Sequence, residues 1–314
     1  MPFSFIKSKP QRKSIIDKLN PFHKPYELIS RKKRRWNNML ISSGRFHLTN
    51  PNPVDKCGWE LTFQDEFNTS SLDQDKWTTE TFYGARYHPQ NITQNSPASA
   101  PREYLSPDNF ELTGNSIKLI ATDEHVNINH TSSPPRPDVD GNYTIRHQVA
   151  QIDSYHSWQS RNIDWRQKYG YFEIRCRMPN SKGMWPAFWL YGEGGDEIDI
   201  FEFYTGKGDF GFESNYHFYP FGTSTQRHIY RRQEHKTYHA DQEFGIYALS
   251  WDSNRLRWLY NNRIIREIRN PGFHKPMHII INTALDKQSD RGQFHLAEFP
   301  NSFEIDYVRA YRKI

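Results

Sequence analysis

Cysteine is scarce. The 314 residues hold only two, Cys57 and Cys176, too few for a disulfide scaffold. A buried free thiol accounts for Cys176, which falls in a predicted core strand, and no bridge is expected. Long apolar runs are also missing. No segment reaches the roughly 20 apolar residues of a membrane span, and the first 56 residues lack the continuous apolar stretch of a secretory signal. No internal repeat is apparent.

Charge is unevenly spread. Residues 1–56 carry thirteen Lys and Arg against three Asp and Glu, a net of +10, and with +5 overall the remainder carries −5. The basic pI belongs to this leader, which includes Arg31, Lys32, Lys33, Arg34 and Arg35. Such a segment reads as solvated and mostly flexible, with contact to an anionic surface or polymer, nucleic acid or acidic polysaccharide as the functional alternative. The chain thus divides into a leader (1–56) and one folded domain (57–314).

That domain reads as all-β, with short runs separated by turn residues. Residues 117–121 alternate after the turn at Gly114 and Asn115, residues 244–251 form another strand, and 255–260 and 263–268 flank Asn261 and Asn262 as the clearest hairpin. His278 to Asn282 reads as a strand buried on both faces. Residues 123–144, rich in Pro, Asn, Asp and Ser, read as a long loop. Aromatic residues make up 15% of the chain, with nine Trp, a content shared by sandwich cores and sugar-stacking clefts.

What stands out is Glu197-Ile198-Asp199-Ile200-Phe201-Glu202, three carboxylates inside an otherwise apolar strand. Alternation puts Glu197 and Asp199 on one face and Ile198 and Ile200 on the other. Glu202, five positions from Glu197, falls on the wrong face unless a β-bulge near Ile200 and Phe201 re-aims it. Acids held close cannot both ionise easily, so one keeps a proton while the other stays a carboxylate. At about 5 to 5.5 Å apart, an outer pair of this kind suits a retaining glycosidase. The alternative is an edge strand whose acidic face meets solvent or calcium.

The flanking segments are specific. Gly170-Tyr171-Phe172-Glu173-Ile174-Arg175-Cys176-Arg177-Met178-Pro179 is followed by Gly183-Met184-Trp185-Pro186-Ala187-Phe188-Trp189-Leu190-Tyr191-Gly192, two strands joined by a turn. Together with Phe63-Gln64-Asp65-Glu66-Phe67 and Ile305-Asp306-Tyr307-Val308-Arg309-Ala310-Tyr311, they give residues 58–314 a close resemblance to glycoside hydrolase family 16, in its bulged laminarinase, agarase and carrageenase branch. The resemblance implies a concanavalin A-like jelly-roll sandwich of two curved antiparallel sheets. It further implies an endo-acting retaining hydrolase of β-linked polysaccharide, either a β-1,3- or mixed-linkage glucan or a red-algal galactan. Glu197 matches the nucleophile, Asp199 the assisting carboxylate and Glu202 the general acid/base. A non-catalytic carbohydrate-binding protein of the same fold is the rival, although such a member is expected to lose one of the two glutamates.

By the same resemblance, Trp185 and Trp189 stack on sugar rings with small Ala187 between them, and His217 is a cleft histidine. Asn215 and Tyr219 alternate with His217 on the following strand. Arg86, Gln151, Asp153 and Trp158 border the groove, and Arg146, Arg161 and Arg166 join Arg86 as candidates to meet sulfate groups. Glu66 and Asp306 match positions where some members bind a structural calcium, while the two-carboxylate chemistry needs no cofactor. Glu173 and Arg175 share a strand face and are expected to pair. The Gly192–Asp196 connection lacks the Trp that many glucan-cleaving members place before the first glutamate, which weighs against a glucan without excluding it and keeps agar-like and carrageenan-like substrates open. The partner is a polysaccharide, the expected state a monomer, and family members are usually secreted or on the cell surface.

Overall fold

The computed structural model describes residues 56–87, 103–131, 135–137, 140–157, 163–204, 211–222, 227–237, 239–286 and 297–314. The basic leader, apart from Lys56, lies outside the described residues, as do Trp158 and Arg161.

The strands run β1 (Trp59–Asp65), β2 (Tyr104–Leu105), β3 (Phe110–Leu112), β4 (Ile117–Ala121), β5 (Val126–His130), β6 (Gly141–Ile145), β7 (Gln148–Val149), β8 (Gln151–Asp153) and β9 (Gly170–Arg177). Next come β10 (Met184–Gly192), β11 (Glu197–Phe203), β12 (Gly211–Phe218), β13 (Ile229–Tyr230) and β14 (Gln233–Lys236). Five more complete the domain: β15 (Gly245–Trp251), β16 (Arg255–Tyr260), β17 (Arg263–Arg269), β18 (Met277–Leu285) and β19 (Asn301–Lys313). Two antiparallel sheets dominate. One is ordered β17-β16-β15-β9-β19-β4-β3 with β1 on β19, and the other β13-β12-β11-β10-β18-β8 with β14 on β12.

Alternation explains the packing between them. From the second sheet, Phe188, Leu190, Ile198, Phe201, Phe203, Ile279 and Ile281 point inward to meet Phe172, Ile174, Tyr247, Leu249, Trp258 and Phe303 of the first, all in one apolar core. Phe201 packs on Tyr247 at 4.8 Å and Phe303 at 6.0 Å between ring centres. This inward face fixes the register of β10 and β11, because a one-residue slip would exchange core for cleft. The predicted hairpin is present, with Asn261 and Asn262 both at positive φ (45° and 63°), as a two-residue turn between twisted strands requires.

Two expectations are corrected. Residues 123–144 are not one long loop: β5 and β6 pair antiparallel from Val126↔Ile145 to His130↔Gly141, and Val-Asn-Ile-Asn against Asn-Tyr-Thr-Ile supplies the alternation. Glu173 and Arg175 do not pair with each other. Buried Glu173 takes an ion pair from Lys56 at 3.1 Å, and Lys56 also lies over the Tyr171 ring at 3.9 Å, while Arg175 turns to Asp306.

Candidate active site

The second sheet's outer face carries a cleft of about 680 Å³ lined from β10, β11, β12 and β18. Its floor depends on one irregularity in β11. Against β10, Trp189 faces Asp199 and Phe188 faces Phe201, so Ile200 is the extra residue of a bulge. Against β12, the register likewise shifts between Asp199 and Glu202. Ile200 and Phe201 both enter the core, and Glu202 returns to the side of Glu197 and Asp199, all three lining the cleft. A bulge interrupts ladder bonding, and here the Asp199 carbonyl accepts a hydrogen bond from the Trp258 indole N–H at 2.9 Å, reaching across from the opposite sheet.

The carboxylates share protons. Asp199 is buried, and burial, followed by the charges of Glu197 and Glu202, drives it well above the usual carboxylate range. It therefore keeps a proton, and its hydrogen bond to Glu197 lowers that group. Against this, burial and then the Glu202 charge push Glu197 up to about 7. Glu202 is also pushed up to about 7, chiefly by burial, with Tyr204 opposing, the Glu213 charge adding, and Trp185 and Asn215 opposing. The Tyr204 hydroxyl donates to Glu202 Oε1 at 3.1 Å. At neutral pH the site thus holds a carboxylate supported by a neutral acid beside a second carboxyl poised to give or take a proton.

His217 stands opposite Glu197 in register, its Nε2 3.6 Å from Glu197 and 3.8 Å from Asp199. Asn215 Oδ1 accepts from the Tyr216 N–H, which turns its amide nitrogen to donate to His217 Nε2 at 2.9 Å. The His217 proton is then on Nδ1, 2.8 Å from His228 Nε2. Burial, with His228 second, pushes His217 down to about 4, so it is a neutral ring at the floor.

Trp185, Ala187 and Trp189 face the cleft together, and the Trp189 indole donates to Asn282 Oδ1 at 2.8 Å. The other candidates fare differently. Arg86 is not in the cleft lining; its guanidinium donates to the Thr79 and Leu105 carbonyls. Gln151 and Asp153 are buried on β8, and Asp153 is bound to His278 Nδ1 at 2.6 Å. Arg166 is occupied by Asp164 at 2.7 and 3.2 Å, and Arg146 is exposed outside the lining. Glu66 pairs with Arg309 through both oxygens (2.7 and 2.8 Å) and Asp306 with Arg175, so a calcium ion there would have to displace two guanidinium partners.

Tyr204, Glu213, Tyr230, Asn282, Glu103 and Arg232 also line the cleft, beyond the residues that the sequence points to. Glu213 was within reach of alternation, two positions before Asn215 on the same face. Glu103 and Arg232 arrive from segments whose approach depends on tertiary folding. Among the described residues, the lining holds five acidic side chains and one arginine.

The model for Glycosyl hydrolases family 16 matches residues 114–307. Glucan endo-1,3-beta-glucosidase A1 of Niallia circulans is 25% identical over 285 residues, covering 82% of this chain and 38% of that protein. Endo-1,3-1,4-beta-glycanase ExsH of Rhizobium meliloti is 26% identical over 265 residues, covering 82% of this chain and 53% of its own. The chain therefore spans 38% and 53% of the lengths of these two relatives. In fold it is similar to the kappa-carrageenase of Pseudoalteromonas carrageenovora, with a TM-score of 0.61 at 18% identity over 85% of this chain and 100% of that one.

Proposed function

The chain belongs to glycosyl hydrolases family 16, and from that premise we propose that it is an endo-acting hydrolase of β-linked polysaccharide working by double displacement with retention. The observation that carries the reading is the bulge in β11, which puts Glu197, Asp199 and Glu202 on the cleft face together. In the first step the Glu197 carboxylate attacks the anomeric carbon, and the Glu202 proton passes to the departing glycosidic oxygen. In the second, Glu202 takes a proton from water, the water oxygen attacks the same carbon, and Glu197 leaves as a carboxylate. Asp199 donates to Glu197 and holds it in line, and neutral His217 fills the floor without adding charge.

The substrate reading is a neutral β-glucan of the β-1,3- or mixed-linkage type. With Asp199 and one of Glu197 and Glu202 neutral, the remaining acids of the lining still outnumber its one arginine among the described residues, which disfavours sulfate groups; Arg86 and Arg166 are occupied elsewhere and Arg146 lies outside the lining. Trp185 and Trp189 supply faces for sugar rings, each stacking contact worth about 1 kcal/mol. A neutral galactan such as agarose is the nearest competitor. The test is reducing-end release from laminarin, lichenan, agarose and kappa-carrageenan by the wild type and Glu197→Gln. Cleavage of a glucan, with a loss on the order of 10³-fold or more in the variant, is expected. Wild-type rates in the variant would remove Glu197 from its role, and binding without cleavage would favour a lectin.

A further inference from the structure

Three glutamates lie side by side across neighbouring strands. Glu202 on β11 is paired with Glu213 on β12, and Glu213 is paired with Glu234 on β14. Like charges directly opposite each other in a sheet are destabilising, and Glu213 is buried. Glu202 and Glu213 both open to the cleft.

Resting on the reading of Glu202 as the acid/base, we infer that Glu213 is a positioning residue for the Glu202 proton: its charge holds Glu202 in the acid form before bond cleavage, and Arg232 sets how strongly. Arg232 Nη1 lies 3.8 Å from Glu213 Oε2, on a side chain more than half exposed. It is close enough to weaken the Glu213 field and too solvated to cancel it. Glu197 loses its charge when it bonds to sugar, which releases Glu202 to act as base in the second step; before bond cleavage the Glu213 carboxylate, directly opposite in the sheet, adds to the push that keeps Glu202 protonated. After burial, the Glu213 charge is the main influence raising Glu202, in keeping with their direct pairing across β11 and β12.

The groups facing Glu202 are Glu197 and Asp199 on its own strand, Tyr204 just past the end of that strand, Glu213 and Asn215 on β12, and Trp185 on β10. Beyond Glu213 lie Glu234 and Lys236 on β14 with Arg232 before it, and Glu103 lines the cleft. Of these, Glu213 and Arg232 permit opposite perturbations of one field.

The experiment is a pH profile of kcat/KM together with a carboxyl ¹³C titration of Glu202 by NMR, assigned with Glu202→Gln. Both are run on the wild type, Glu213→Gln and Arg232→Gln. Glu213→Gln should lower the Glu202 midpoint and the basic limb by about one pH unit. Arg232→Gln should raise both by a smaller amount, about half as much at an exposed cation. A uniform loss of rate in Glu213→Gln with no shift would mean a merely structural role and would overturn the inference, as would both variants moving the midpoint the same way. Should Glu213→Gln not fold, Arg232→Gln at the surface decides alone: an unmoved or lowered midpoint refutes. If Glu202→Gln hydrolyses normally, the acid/base reading falls, while the titration still judges the field between the glutamates.

Discussion

At the scale of the residue, the site turns on where protons sit. Asp199 is the most deeply buried of the three acids and holds its proton against Glu197, and Glu197 and Glu202 both change state near pH 7. The active form has one proton between the two glutamates, so kcat/KM should be bell-shaped and centred near neutrality. A stability consequence follows with a definite sign. A carboxyl whose folded-state pKa is raised binds its proton more tightly when folded, so stability is undiminished below the ordinary value of 4.5 and falls as pH rises toward 7. Glu202→Gln removes that loss. It should match the wild type in thermal stability at pH 4 and exceed it at pH 8, by roughly 1–3 kcal/mol. Differential scanning calorimetry at the two pH values checks this, and an equal effect at both would contradict the burial argument. The acids were legible from sequence because charge in an apolar strand is conspicuous. Arg86 was misplaced because nothing local reveals that Thr79 and Leu105 carbonyls wait for its guanidinium.

At the scale of the element, β11 is the informative strand. Alternation alone required a bulge near Ile200 and Phe201, and the pairing with both neighbours places one there. What alternation could not show is how the interrupted backbone is satisfied. The Trp258 indole from β16 meets the Asp199 carbonyl, and Arg266 lies over that indole at 4.3 Å while donating to the Ser214 carbonyl at 2.7 Å. The bulge is therefore braced from the opposite sheet. Trp258→Phe leaves a buried carbonyl without its donor and a gap beside Arg266, and should cost about 2–4 kcal/mol in urea unfolding. A change below about 0.5 kcal/mol would mean that the brace is dispensable. Residues 123–144 show the reverse failing of sequence reading. Their Pro, Asn and Asp content masked the short alternating runs of β5 and β6, whose pairing brings together segments ten or more residues apart.

For the molecule as a whole, the two-sheet arrangement was readable from period-two patterning and from the family resemblance. The composition of the cleft was only partly so. The strands β10, β11 and β12 announce their own cleft-facing residues, whereas Glu103 and Arg232 enter from segments joined to the site only by the fold. Charge is also distributed at this scale: the net −5 of residues 57–314 includes the acidic cleft, and the +10 leader is separate in sequence. Lys56, the last leader residue, is docked over Tyr171 against Glu173 of the first sheet, whereas the cleft is lined from the second. If Glu197 and Glu202 cleave a β-linked chain by two successive displacements at one carbon, the first sugar released from laminarin keeps its β configuration. ¹H NMR read before mutarotation should show the β anomer first with the α anomer growing in later; α anomer at the earliest time would rule out double displacement.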